Sequence, residues 1–274
     1  DPFHLLDLQG HLKNHFNLPA NSVGQVNFRF SPFDFNNDGF TDLVFGVDMT
    51  ADVSQSIMFL KNSESNVAGF PSLTRQNGYA NPFHNIDVEA SAAPVFFDVD
   101  SDGHVDMVIL NSTGDFAFFK NTMKSAGAVF TKQEDDDDSN PFFGLNMGDN
   151  RVSTIGSTLD QLKQSISLMA WDVDTDDLID LLVVVGSVKV GSVKEPGGIR
   201  FLKNMGDTFV EQDGARNPFL RVELQNGCQL FAAWDVDGNN RTDLVCLMDY
   251  LGDEETTKQN RRATVYRNMG TNGT

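Results

Sequence analysis

Four short apolar runs recur along the chain, at Leu43–Val47, Met107–Leu110, Leu181–Val185 and Leu244–Met248. The first three are rich in β-branched residues, and all four are bounded by turn-forming ones. Runs of this length read as buried strands, because a helix needs a longer stretch in phase. Two further markers keep step with them. Phe59-Leu60-Lys61-Asn62, Phe118-Phe119-Lys120-Asn121, Phe201-Leu202-Lys203-Asn204 and Val265-Tyr266-Arg267-Asn268 follow the runs. Asp1-Pro2-Phe3, Asn81-Pro82-Phe83, Asn140-Pro141-Phe142 and Asn217-Pro218-Phe219 open each new copy, and Asn-Pro is a natural stop for a strand. The chain therefore reads as four repeats, approximately 1–80, 81–139, 140–216 and 217–274. Each has one strand before an acidic loop, one after it, one ending in Lys-Asn or Arg-Asn, and one running into Asn-Pro-Phe. Four short antiparallel strands per repeat is the pattern of a propeller blade. The expected fold is all-β: a single β-propeller, or a segment of one, over 1–274.

The repeats alternate in length. Positions 34, 98, 172 and 235, where the acidic loops begin, lie 64, 74 and 63 residues apart. Repeats one and three carry extra residues before the loop, roughly 5–20 and 144–162, and insertions in repeat proteins tend to emerge on the binding face. The leucines at 5, 6, 8 and 12 have helical rather than extended spacing. After Asn268 the sequence is short and Gly-rich, a poor fourth strand for the last repeat. An unpaired edge invites pairing, so the expectation is continuation of the native chain or a neighbouring copy rather than closure within the chain. The opening Asp1-Pro2-Phe3 has no signal-peptide pattern and fits a cleaved mature protein or an excised piece.

The loops carry the candidate chemistry. Positions 1, 3, 5 and 9 are Asp34, Asn36, Asp38 and Asp42 in the first and Asp98, Asp100, Asp102 and Asp106 in the second. They are Asp172, Asp174, Asp176 and Asp180 in the third, and Asp235, Asp237, Asn239 and Asp243 in the fourth. Such an all-oxygen set suits a hard cation such as Ca²⁺, with the position-7 carbonyl of Phe40, His104, Leu178 or Arg241 as a backbone ligand. An EF-hand begins similarly but needs a bidentate Glu at position 12 and flanking helices. Position 12 here is Phe45, Ile109, Val183 or Cys246, and the flanks are strand-like. The plain alternative is ordinary acidic turns, since Asp, Asn and Gly dominate turns. Four copies at matched phase favour up to four structural Ca²⁺ ions.

At these loops and markers the chain resembles the FG-GAP/VCBS repeat family, the repeats of integrin α-chain propellers. Its motif, Phe/Trp-x-Asp-x-Asp-x-Asp-Gly-x-x-Asp-Leu, is followed most closely from Phe33 to Leu43 and from Phe97 to Met107. The resemblance implies a β-propeller with Ca²⁺ in hairpin loops, in an extracellular or cell-surface protein. Asp177 and Asn240 stand where the motif has Gly, and Asn239 replaces an acid. A residue other than Gly at that turn predicts backbone strain.

Composition narrows the function. The net charge of −19 argues against a nucleic-acid partner, which needs basic patches; four bound Ca²⁺ would reduce it to −11. No apolar stretch is long enough to span a membrane. Sequons at Asn111, Asn240 and Asn272 fit a secreted glycoprotein, with Asn240 crowded by its own loop. If the fourth hairpin is symmetric about Asn239, Cys228 opposes Tyr250, so a bridge to Cys246 requires a slipped or bulged pairing; otherwise both remain buried thiols.

His11 and His15, with Asp7, could share a helical face with metal-binding spacing, though ordinary histidines explain them as well. The acidic run 134–138 reads as a solvated turn, and Trp171 and Trp234 occupy repeat-core positions matching Phe33 and Phe97. No phosphate loop, nucleophile elbow or zincin motif occurs. The expected function is non-enzymatic: an adhesion, matrix or assembly module with a protein or glycan ligand, and with self-assembly or additional blades beyond this chain. A lectin is the alternative among binders. A polysaccharide-acting enzyme, or a non-catalytic domain of one, is the alternative outside them.

Overall fold

A computed structural model describes residues 29–36, 38–46, 57–63, 72–84, 86, 94–110, 114–122, 129–134, 139–147, 166–185, 188–190, 193–195, 198–220, 222, 224, 228–238, 243–248 and 262–267. They are all-β, with single 3-10 turns at Gly78–Ala80 and Gly214–Arg216. The first sheet has the order β1 (Arg29–Phe33), β2 (Asp42–Gly46), β3 (Ile57–Ser63), β4 (Ser72–Gln76). The second runs β5 (Pro94–Phe97), β6 (Asp106–Leu110), β7 (Phe116–Asn121), β8 (Phe130–Lys132) in the same way. In the third repeat β9 (Ile166–Trp171) and β10 (Asp180–Val185) are followed by a separate two-stranded hairpin, β11 (Val188–Val190) with β12 (Val193–Glu195). β13 (Gly198–Asn204) and β14 (Phe209–Gln212) then complete the sheet begun by β9 and β10. The fourth sheet comprises β15 (Cys228–Trp234), β16 (Asp243–Met248) and β17 (Arg262–Tyr266). Each sheet falls within one repeat read from the sequence. The β11–β12 hairpin was not anticipated, although Val188-Lys189-Val190 has the alternation of a strand. Among the described residues no helix is long and apolar enough to cross a membrane.

Every acidic loop joins the first strand of its sheet to the second, and the second strand begins at loop position 9 itself. Phe33 pairs with Asp42, Trp171 with Asp180 and Trp234 with Asp243. β6 is buried along its whole length, and so are Leu181, Leu182, Val183 and Val184 of β10, so both faces of these second strands are covered. That explains why the second strands read as continuous apolar runs rather than alternating ones.

The Asn-Pro-Phe markers form compact turns. The Asn81, Asn140 and Asn217 side-chain oxygens accept the N–H of Phe83, Phe142 and Phe219 at 3.0, 3.0 and 2.8 Å. Asn81 and Asn217 also donate through Nδ2 to the carbonyls of Ile57 and Ile199, at the start of a third strand. An Asn side chain that mimics a backbone turn is thereby tied to the sheet.

Contacts divide the chain into two compact units, residues 1–94 with 121–130, and residues 95–120 with 131–274. In the first, Phe35, Phe59 and Phe83 pack edge-to-face, and Phe83 stacks on Phe130 at 4.9 Å. In the second, Phe142 stacks on both Phe116 (5.2 Å) and Phe209 (4.6 Å) within a core that also holds Val108, Leu181 and Leu202. A further cluster joins Leu182, Val184, Ile199 and Phe201 to Leu244 and Cys246, with Trp171 packed against it.

Cys246 is buried and disulfide-bonded, and among the described residues no cysteine is free. The chain's other cysteine is Cys228. Pairing symmetric about Asn239 does not hold: Cys228 lies opposite Met248, not Tyr250, and a bulge between Cys228 and Leu230 breaks the register. The bulge supplies the irregular pairing that a bridge required, and the reading as two thiols is corrected. The first insertion with His4, His11 and His15, the three sequons, residues 135–138 and 148–162 lie outside the described residues.

Candidate metal centre

Each loop is first a self-bonded turn. The position-1 carboxylate accepts backbone N–H groups from the far side: Asp38 and Gly39 to Asp34, Asp102 and Gly103 to Asp98, and Thr175, Asp176 and Asp177 to Asp172. In the fourth loop Gly238 donates to Asp235 at 2.8 Å. Position 5 accepts from position 7, as Phe40 to Asp38, His104 to Asp102 and Leu178 to Asp176. Short polar side chains replace the ladder that a tight loop cannot form.

Position 9 is different. Asp42, Asp106, Asp180 and Asp243 are all 0 % exposed. Each accepts the N–H of position 2: Phe35 at 3.2 Å, Val99 at 3.1 Å, Val173 at 3.0 Å and Val236 at 3.0 Å. Asp42 and Asp180 also accept, on the other oxygen, the N–H of the third-strand Asn62 (2.8 Å) and Asn204 (2.9 Å). This carboxylate pins the loop to the second and third strands. Burial raises the pKa of Asp42 against the hydrogen bonds that oppose it, and burial lifts Asp180 to about 6.

Carboxylate oxygens of positions 1, 3 and 9 come within 4.8 Å of one another in three loops: Asp98, Asp100 and Asp106; Asp172, Asp174 and Asp180; Asp235, Asp237 and Asp243. In the first loop position 3 is Asn36, so Asp34 and Asp42 lack a third carboxylate there. Closeness to the motif does not by itself decide which loops gather acids: of the two nearest it, the second does and the first does not, while the fourth, which departs from it, also does. Position 5 stands outside these groups. Phe40, His104 and Leu178 are placed by their N–H bonds, while Asn239 and Arg241 lie outside the described residues. The grouped side-chain donors are all carboxylate oxygens, which fit a hard divalent cation and give a soft metal nothing to bind.

The sequence reading missed the base above each loop. Lys120 bonds Asp100 and Asp102, and Lys203 bonds Asp174 and Asp176. Lys61 lies 3.3 Å from Asp38, and Arg267 lies 3.8 Å from Asp237. These are the basic residues of the Lys-Asn and Arg-Asn markers, whose fixed place in the repeat was the available signal. The hydrogen bond from Lys203 holds Asp176 below the usual carboxylate range. The carboxylate of Asp100 raises Lys120, and that of Asp174 raises Lys203.

No family model matches the chain, and no curated protein matches it.

Proposed function

We propose that the chain is a β-propeller, or a segment of one, whose loops bind Ca²⁺ as a structural ion, and that it serves as an extracellular adhesion, matrix or assembly module. The observation that carries this reading is the grouping of position 1, 3 and 9 carboxylates in three successive loops. It is supported by the recurrence of one antiparallel plan, four-stranded in three sheets and three-stranded in the last, with a loop between first and second strands each time. The likeness of the loops to FG-GAP/VCBS repeats agrees with both. Ca²⁺ would be held by Asp98, Asp100 and Asp106 and their counterparts, and would supply charge neutralisation rather than reaction chemistry. The ligand would be a protein or glycan.

Calcium titration by calorimetry, with melts in excess chelator, tests the metal part. Asp98→Ala should abolish binding at its loop and cancel the calcium-dependent part of its contribution to stability. Heat uptake that is absent in the native protein, or a melt indifferent to chelator, would sink the reading.

A further inference from the structure

The third-strand base holds the same place in all four repeats, yet its grip varies with the loop. Where positions 3 and 5 are both Asp, the ammonium has two partners: Asp100 and Asp102 for Lys120, Asp174 and Asp176 for Lys203. Where position 3 is Asn36, Lys61 has one carboxylate partner among the described residues, Asp38 at 3.3 Å. In the fourth loop Arg267 lies 3.8 Å from Asp237, its one ion-pair partner among the described residues. Lys120 and Lys203 are also less exposed than Lys61 or Arg267.

Asp100 and Asp174 thus have two demands on them. Each belongs to a group of three carboxylates close enough to share one cation, and each is already bound to an ammonium. Two positive charges a few ångströms apart repel even at a largely exposed site, so both cannot hold the same carboxylate at full strength. We infer that Lys120 and Lys203 are tethered competitor cations: they brace the loop when no divalent ion is bound and must yield Asp100 and Asp174 when one binds. They therefore set the divalent affinity of the second and third loops. This rests on the reading of the loops as divalent sites. It also orders them, because the fourth loop has a grouped carboxylate set and the weakest competitor.

The test uses the full chain and Ca²⁺ in a chelator-buffered titration at about 0.15 M salt, so that distant charges are screened. The K120M/K203M double variant should bind Ca²⁺ roughly 2–5-fold tighter at two sites, the scale set by releasing one partly exposed ion pair at each. In excess EDTA the same variant should melt below the native protein. K120R/K203R keeps the charge and should bind as the native protein does. Lys132, an exposed lysine of β8, gives the control K132M, which should change affinity by less than about twofold. Native binding with unchanged or weaker affinity in K120M/K203M overturns the competition while leaving the calcium reading intact. An equal gain in K132M overturns it too, by assigning the effect to net charge. If no variant and not the native protein binds Ca²⁺, both readings fall together.

Discussion

Four loops of one plan differ most at single backbone positions. At loop position 6 Gly39 and Gly103 have φ of +87° and +85°, a left-handed conformation that glycine adopts freely. Asp177 takes the same place with φ +67°, as the sequence led one to expect. Position 4 is left-handed as well: Ser101 at +57°, Thr175 at +63° and Gly238 at +73°. That second demand was invisible in the sequence, because the motif leaves position 4 unspecified. It accounts for the glycine of the fourth loop, which sits at position 4 and relieves the strain there. Thr175 is the worst placed, since a β-branched residue is a true outlier in this region. Thr175→Gly should therefore stabilise the protein by about 0.5–1 kcal/mol, the strain relieved exceeding the added unfolded-state entropy. Asp177→Gly should gain less, because Asp tolerates this conformation. Denaturant midpoints measured in chelator would decide; destabilisation by both would show that Thr175 and Asp177 are held by more than local geometry. Asp180 gives a residue-scale pH effect. Its folded pKa, about 6, lies above the unfolded value, so the native state binds the extra proton. In metal-free protein its contribution is fully present below about pH 4 and is lost as pH rises through 6, a change of at most about 3 kcal/mol. The stability difference between native protein and Asp180→Asn should fall across that window and then level off. A flat difference would contradict burial as the cause.

The elements follow from the repeated markers, each of which does more than end a strand. In the third repeat Asn140 is buried and bonds the Phe142 N–H, the Pro141 carbonyl accepts the N–H of Phe209 at 2.9 Å, and the Phe142 ring is stacked between Phe116 and Phe209. The turn is the wedge by which β14 and β7 share one core. Asn140→Ala leaves a buried N–H unpaired and should cost about 1–3 kcal/mol. Asn217→Ala should cost less, because Asn217 and Phe219 are only part-buried. Urea unfolding with unchanged slope checks the order, and a greater loss at Asn217 would reverse it. Apart from the β11–β12 hairpin, strand number and order were legible because the apolar runs and markers recur in phase. The reason for the phase was not. Position 9 reads as one more acidic ligand, yet Asp42 and Asp180 prove to be the joints at which the second strand, the loop and the Asn of the third strand meet. The Lys-Asn marker likewise reads as a strand end, whereas Asn204 makes three bonds, to Asp180, Ile179 and Gly206, and Lys203 reaches the loop. Such roles depend on which residues from 20 to 29 positions away come to the same place, and spacing along one strand carries no trace of that. The Cys228 register was misjudged for a related reason: one bulge displaces the pairing, and nothing local in the sequence announces it.

Across the whole chain, calcium should act unevenly. The net charge of −19 opposes compaction, and each bound divalent ion removes two charges from a loop already dense in carboxylates. If a site binds at about 10 μM and free Ca²⁺ is about 1 mM, mass action gives about 2.7 kcal/mol, a large part of the stability of an ordinary domain. All three loops that group carboxylates at positions 1, 3 and 9 belong to the unit formed by residues 95–120 and 131–274. The other unit has only the Asn36 loop, where an amide oxygen replaces a charged ligand and lowers the expected affinity. Amide exchange can separate the two units without any assumption about their arrangement. On adding calcium, β6, β10 and β16 should gain protection by roughly a hundredfold for a single such site, since 2.7 kcal/mol is about two decades. The gain at β2 should be smaller by a factor of ten or more. Each of these strands begins at a position-9 Asp that is fixed by backbone N–H donors, so exchange there reports directly on the loop above it. An equal or greater gain at β2 would mean that the amide at position 3 is no handicap, and that the grouping of three carboxylates is not what determines where the ion binds.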